Sequence, residues 1–349
     1  MTSRAFGSLP SGEAVEAHTL ANDSGASAEI LTYGGIVASL RVPDRDGRIG
    51  DVVLGFDRLE PYLAGHPYFG AVIGRIAGRV GGGRLSIDGR MHALECNDGP
   101  NHLHGGRCGF DKRLWTAAPA SRADGARSLR LSYLSPDGEE GYPGNVEVAV
   151  TYTLTAANEL VFETEAAADR ATPISLAQHS YFNLAGEESG SVVGHEVHIL
   201  AEDYAPMDGT LTLLDRREGV SGRGADLTNP RRLLDALPRL LKAHGDLYLL
   251  RAPGAPQPPA PTLAARVAEA RSGRVLEAFT DDSCLQFYTG AALDGTLVGK
   301  SGRPYGPHAG FCLECHGYPN ASGLAGFGDI LVRPGRPQRR RTLYAFSTL

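Results

Sequence analysis

The chain of 349 residues carries 34 Lys and Arg against 40 Asp and Glu, a formal net charge of −6. That balance argues against a nucleic-acid partner, whose binders present a basic face, and no apolar run is long enough to span a membrane. Five cysteines, an odd number in so long a chain, suit reduced thiols rather than a disulfide framework.

The first residues, MTSRAFGSLPSGEAVEAHTL, lack the apolar stretch of a signal peptide, so a cytoplasmic protein is expected. GRIAGRVGGGR, Gly74 to Arg84, is glycine-rich but lacks the strand–GxGxxG–helix context of a dinucleotide site. It reads as a tight β-connection whose arginines are free to point at a ligand. NDGPNHLHGG, Asn97 to Gly106, follows with His102 and His104 two residues apart, which on an extended segment would face the same way. A cupin-like metal pair would need a glutamate soon after, and GGRCGFDK has none. Spacing alone favours packing histidines.

The middle of the chain is dominated by a period of two. In NVEVAVTYTL, Val146, Val148, Val150, Tyr152 and Leu154 share one face, and Glu147, Thr151 and Thr153 the other, as in a half-buried antiparallel strand. LRLSYL (129–134), ELVFETEA (159–166), VHIL (197–200) and CLQFYTG (284–290) read the same way, with PDRDGR, SPDGEEGYPG, SGRG and LDGT as turns. PISLAQHSYFNLAG, Pro173 to Gly186, sets His179 among Gln178, Ser180, Tyr181 and Asn183 after an apolar strand. Taken alone, a histidine so placed is more often structural than catalytic. The best helical pattern is NPRRLLDALPRLLK, 229–242, which Pro238 interrupts. APGAPQPPAP, 252–261, reads as a loop insertion between strands.

Near the end, GFCLECHGYPNA holds a C-x-x-C spacing with a histidine beside it. Read as a strand, it puts Cys312, Glu314 and His316 on one face and Leu313 and Cys315 on the other. Thiolates on opposite faces cannot share a metal, and a redox dithiol would sit at a helix N-terminus. The arginine run Arg339 to Arg341 reads as a solvated strand edge rather than a phosphate patch. No Ser-His-Asp or Walker signature stands out. Many short strands with regular turns predict an all-β fold, a large mostly antiparallel β-sandwich, in a single domain over 1–349.

Together, GRIAGR, GPNHLHGG, FDKRLW, SPDGEEGYPG, HSYFNLAG, QFYTG, DGTLVGK and GFCLE resemble, in order, the landmarks of the aldose 1-epimerase (galactose mutarotase) family. The resemblance runs from about Tyr33 to the end. It implies the mutarotase-like supersandwich and a reaction that interconverts the α and β anomers of free aldoses without metal or organic cofactor. It further implies Glu314 as general base and His179 as general acid. Arg79, His104, Tyr181, Gln286 and Asp246 (in HGDLYLL) would bind the substrate, a small sugar, in a monomer or homodimer that engages neither nucleic acid nor membrane. Gly78 stands where the family often has asparagine, Ala177 and Gln178 where it has Thr-Asn, Leu247 where it has histidine, and Cys315 and His316 where it tends to Thr-Gln. Those departures flank binding positions and leave the identity of the sugar open. The alternatives are an epimerase or cyclase for a modified sugar hemiacetal and a non-catalytic carbohydrate-binding protein. Retention of both Glu314 and His179 argues against the second.

Overall fold

The computed structural model describes residues 1–121, 126–240, 245–252, 255–319 and 330–349. Three antiparallel sheets carry most of it. An N-terminal meander of five strands spans Thr2–Ser8 to Ile49–Asp51. A nine-stranded sheet is ordered Thr116–Ser121, Arg127–Ser135, Val146–Leu154, Glu159–Ala168, Gln338–Thr348, Arg274–Thr280, Thr262–Ala268, Glu196–Ile199 and Arg231–Arg232. The third sheet is ordered Glu218–Gly219, Asp203–Ala205, Asp246–Leu249, Cys284–Tyr288 and Cys312–His316. One buried cluster draws on all three: Leu20 and Ile30, then Val150, Phe162 and Tyr344, then Tyr248, Leu285 and Leu313.

The alternating pattern of Val146–Leu154 does what its period requires. Val146, Val148, Val150, Tyr152 and Leu154 are buried and Glu147 is exposed. Thr153 departs from the pattern: it is buried on the far face, where its hydroxyl meets that of Ser128 at 2.7 Å. The run Arg339–Arg341 lies in an interior strand, between Glu159–Ala168 and Arg274–Thr280, rather than at an edge. Carboxylates across the ladder balance it, with Arg339 2.8 Å from Glu165, Arg340 3.4 Å from Asp282 and Arg341 3.5 Å from Glu163.

The expected helix over 229–242 shrinks to one turn, Leu233–Ala236, after the short strand Arg231–Arg232. Pro238 accounts for that, because it cannot donate to the helical ladder and crowds the preceding turn; residues 241–244 lie outside the described part. The glycine-rich stretch is a tight β-connection, with the strand Arg79–Val80 and the 3₁₀ turn Gly81–Gly83. Of its arginines, Arg75 is structural. It is 1 % exposed and donates to Ser135 Oγ and to the carbonyls of Ser135, Pro136, Pro143 and Gly144.

Candidate active site

Three strands of the third sheet set the floor of the site. Glu314 pairs across to Gln286, and Gln286 to Leu247. Residues paired across antiparallel strands point to the same face, so this row shares one side of the sheet. All three line a cavity of about 270 Å³. The alternation read from GFCLECH holds: Cys315 and Leu313 pack into the central core, whereas Cys312 joins a separate cluster with Tyr181, Phe69 and Tyr305. All five cysteines are free thiols.

His179 comes from a different part of the chain. The short strand Ala177–Gln178 pairs with Val72–Ile73, and three residues past His179 the backbones of Phe182 and Phe311 exchange hydrogen bonds of 2.7 and 2.9 Å. Both phenylalanines are fully buried, and each contributes about 1.5–3 kcal/mol by leaving water. Packing therefore fixes the HSYF segment against the strand that bears Glu314. His179 Nε2 stands 3.5 Å from Glu314 Oε1. Its imidazole stacks with two rings, Tyr181 at 5.2 Å and Tyr68 at 5.6 Å between centroids. On its other nitrogen, Nδ1, it meets the Cys312 thiol at 3.7 Å.

His104 reaches the cavity because the extended segment breaks at it, with φ of +53°. The glycine after it is obligatory, since a Cβ at Gly105 would stand 1.8 Å from Gly74 O. This break separates the two histidines that an unbroken strand would have aligned. His102 turns into the interior, with Nδ1 2.6 Å from Glu95 O and Nε2 2.6 Å from the Tyr142 hydroxyl. His104 Nδ1 accepts from the Gly78 N–H at 3.1 Å, so in the neutral ring Nε2 carries the proton. Arg79 lines the cavity too, its Nε 2.6 Å from Asp98 Oδ2.

Asp246 does not join this group. Its pairing partner is Phe287, a core residue, so it faces away from the row Leu247–Gln286–Glu314, and Leu247 takes the cavity wall. Met207, Leu211 and Leu213 extend that wall as an apolar surface. Tyr68, Asp98 and Tyr288 were not singled out by sequence: Tyr68 and Tyr288 lie in no motif whose chemistry demands a tyrosine, and Asp98 is one of many loop aspartates. A larger groove of about 590 Å³ on the nine-stranded sheet is bordered by Tyr133, Leu134, Arg130 and Glu165 and holds no histidine.

Burial controls the electrostatics. It raises the Glu314 carboxyl to about 8, with Arg79 pulling the other way. It lowers His179 to about 4, with His316 adding to the effect. His104 is pushed well below the usual histidine value by burial, then by His179 and Arg79. A neighbouring carboxylate favours imidazolium, but at His179 desolvation outweighs it. Between about pH 4 and 8 the pair thus carries one proton, held on the carboxyl.

Ligating atoms of His104, His179 and Glu314 lie within 4.8 Å of one another, as a metal triad's would. The polarity is wrong for one. A metal-bound histidine donates its other N–H to an acceptor, whereas His104 Nδ1 faces a backbone donor.

The family model for aldose 1-epimerase matches residues 16–345. Galactose mutarotase of Sus scrofa is 44 % identical over 349 residues, 99 % of this chain and 98 % of that protein. Aldose 1-epimerase of Escherichia coli K12 is 32 % identical over 344 residues, 97 % of this chain and 96 % of that protein. Among solved structures, the aldose epimerase homologue from C. elegans superposes with a TM-score of 0.85 at 26 % identity, covering 95 % of this chain and 99 % of that one. Galactose 1-epimerase from Lactobacillus acidophilus gives 0.83 at 25 % identity, covering 99 % and 98 %. With this supersandwich and relatives matched end to end, the chain belongs to the aldose 1-epimerase family.

Proposed function

We propose that this protein interconverts the α and β anomers of free aldohexoses such as galactose and glucose, with Glu314 as base and His179 as acid. The observation that carries the assignment is the enclosed pair, 3.5 Å apart and sharing one proton. Moving that proton from carboxyl to imidazole gives a carboxylate base and an imidazolium acid with no change in total. Glu314 then takes the proton of the anomeric hydroxyl as His179 protonates the ring oxygen. The bond between C1 and the ring oxygen breaks, and the electron pair of the former O–H bond becomes the second bond of the aldehyde. The aldehyde turns about its bond to C2, and reclosure reverses both transfers. Each positioned transfer is worth roughly 10²–10⁴-fold.

His104, its Nε2–H available once Nδ1 accepts from Gly78, is suited to donate to the ring oxygen or a neighbouring hydroxyl. Arg79 and Gln286 bind hydroxyls, and Tyr181 holds the acid while bordering the sugar. Asp246, facing the core side, receives no role. The apolar wall of Met207, Leu211, Leu213 and Leu247 supports the second reading, a sugar with fewer hydroxyls on that side. Five free thiols support a cytoplasmic location, and among the described residues no helix is long and apolar enough to cross a membrane.

Polarimetry on freshly dissolved α-galactose and α-glucose tests the function: the protein is expected to speed equilibration of at least one. Failure on every common aldose would leave the modified-sugar reading. Replacing Arg79 by glutamine is expected to raise KM about 10-fold, the scale of a lost charge-assisted hydrogen bond. Because Arg79 holds the Glu314 carboxyl down, the same change should move the alkaline limb of the pH–rate profile upward. An unmoved limb would sink the electrostatic part of its role.

A further inference from the structure

His316 stands two residues beyond Glu314 on the same strand and lines the same cavity. It is 1 % exposed. Its Nδ1 lies 2.7 Å from Gly317 O, and since a carbonyl only accepts, Nδ1 carries the hydrogen. Burial holds the ring at about 4, so it is neutral in the working range and Nε2 is a bare acceptor. Among the described residues Nε2 has no hydrogen-bond partner. An acceptor stripped of water and left unmatched costs about 1–3 kcal/mol, and native interiors keep few. Of the described side chains that line the cavity, Glu314 is the other with a buried acceptor so placed, through Oε2. That atom belongs to the carboxylate whose partner is the substrate.

Residue 78 cannot supply the missing donor. Gly78 has φ of +84°, and a Cβ on it would stand 2.6 Å from Pro319 Cγ and 3.6 Å from His316 Cε1. A side chain at position 78 would run into Pro319, and the His316 ring lies beside that part of the wall. The other faces near the ring are His104 and His179, which it influences electrostatically.

We propose that His316 Nε2 accepts the hydrogen of a sugar hydroxyl away from the anomeric carbon, and so determines which aldoses this cavity selects. This rests on the mutarotase reading above. A sugar that carries hydrogen in place of that hydroxyl leaves the nitrogen unmatched and binds less well. The contact acts on recognition: it neither takes nor gives a proton in the reaction.

The test is polarimetric kcat and KM for galactose and for its 2-, 3-, 4- and 6-deoxy analogues. Wild type is compared with His316→Phe, which keeps a ring without nitrogen, with His316→Leu, and with His316→Gln, which restores an acceptor. Melting temperatures check folding, and whichever of the Phe and Leu variants folds is read in the same way. Wild type is expected to disfavour one deoxy sugar about 10-fold through KM, the scale of one hydrogen bond. The Phe or Leu variant should lose a similar factor on galactose, through KM rather than kcat, and treat that deoxy sugar and galactose alike. The Gln variant should recover part of the preference, and the alkaline limb of the pH profile should stay in place. A Phe or Leu variant that keeps the wild-type ranking of the five sugars overturns the proposal, as does a moved limb with unchanged ranking. If wild type fails to accelerate galactose and all four analogues, the mutarotase reading falls first and the proposal with it.

Discussion

Replacing Glu314 by glutamine is expected to slow enzymatic mutarotation by roughly 10²–10⁴-fold and to stabilise the fold at neutral and alkaline pH. The first effect follows from removing the proposed base while keeping its shape. The second follows from linkage. Folded protein keeps the Glu314 proton up to about pH 8, whereas the unfolded chain releases it near the ordinary glutamate value of about 4.3. Between those values the unfolded state binds fewer protons, so the stability contributed by this group falls as pH rises and is gone above about 8. Glutamine does not titrate. The melting temperature of the variant should therefore climb relative to wild type from about pH 4.5 to 8 and hold its advantage beyond. Calorimetry across that window checks it. A difference that stays flat with pH would mean that Glu314 is ionised in the folded protein throughout.

The pH–rate profile and its response to His179→Asn form the second large effect. Wild-type kcat/KM is expected to plateau where the pair holds one proton, and to fall below about 4 and above about 8. These limbs belong to the pair rather than to either residue. Their order matters: the acid limb lies below the usual histidine value and the alkaline limb above the usual carboxylate value, because one cavity desolvates both groups. His179→Asn should lose roughly 10²–10⁴-fold and replace the two-limbed profile by a single rise with pH, since Glu314 alone must then give up its proton, at about 8, to act as base. Rates must be extrapolated to zero buffer, since buffers also catalyse ring opening. An acid limb near 6.5 in wild type would mean that the imidazole is hydrated during turnover.

The parts of this site that could be read from sequence are those governed by strand alternation. GFCLECH separated its two sulfurs and put Glu314 beside His316 because a strand alternates regardless of what packs against it. The same rule failed at His102 and His104, where a left-handed residue breaks the extended geometry. Asp246 shows the limit of motif reading: strand register, which depends on the neighbouring strands, pairs it with Phe287 and puts Leu247 in the cavity wall. Arg75 and Arg79 are alike in sequence, and only the tertiary position of the 135–144 turn makes one structural. The helix expected over 229–242 was limited by Pro238, a visible signal whose full effect depended on sheet pairing at Arg231–Arg232. Tyr68 had no local signature, since its role depends on a histidine more than a hundred residues away.

The placement of that tyrosine constrains how turnover proceeds. With Tyr68 and Tyr181 both stacked on His179, packing holds the imidazole in place. On the proposed assignment the acid stays where it is, the carboxylate beside it is carried by a sheet, and the aldehyde arm of the sugar is the moving part. In that proposed scheme opening leaves the proton from the anomeric oxygen on Glu314 and His179 uncharged; closing on either face returns both to their starting condition. The protein thus has no memory of which anomer it received, and its turnover needs neither a resetting step nor a proton from bulk water.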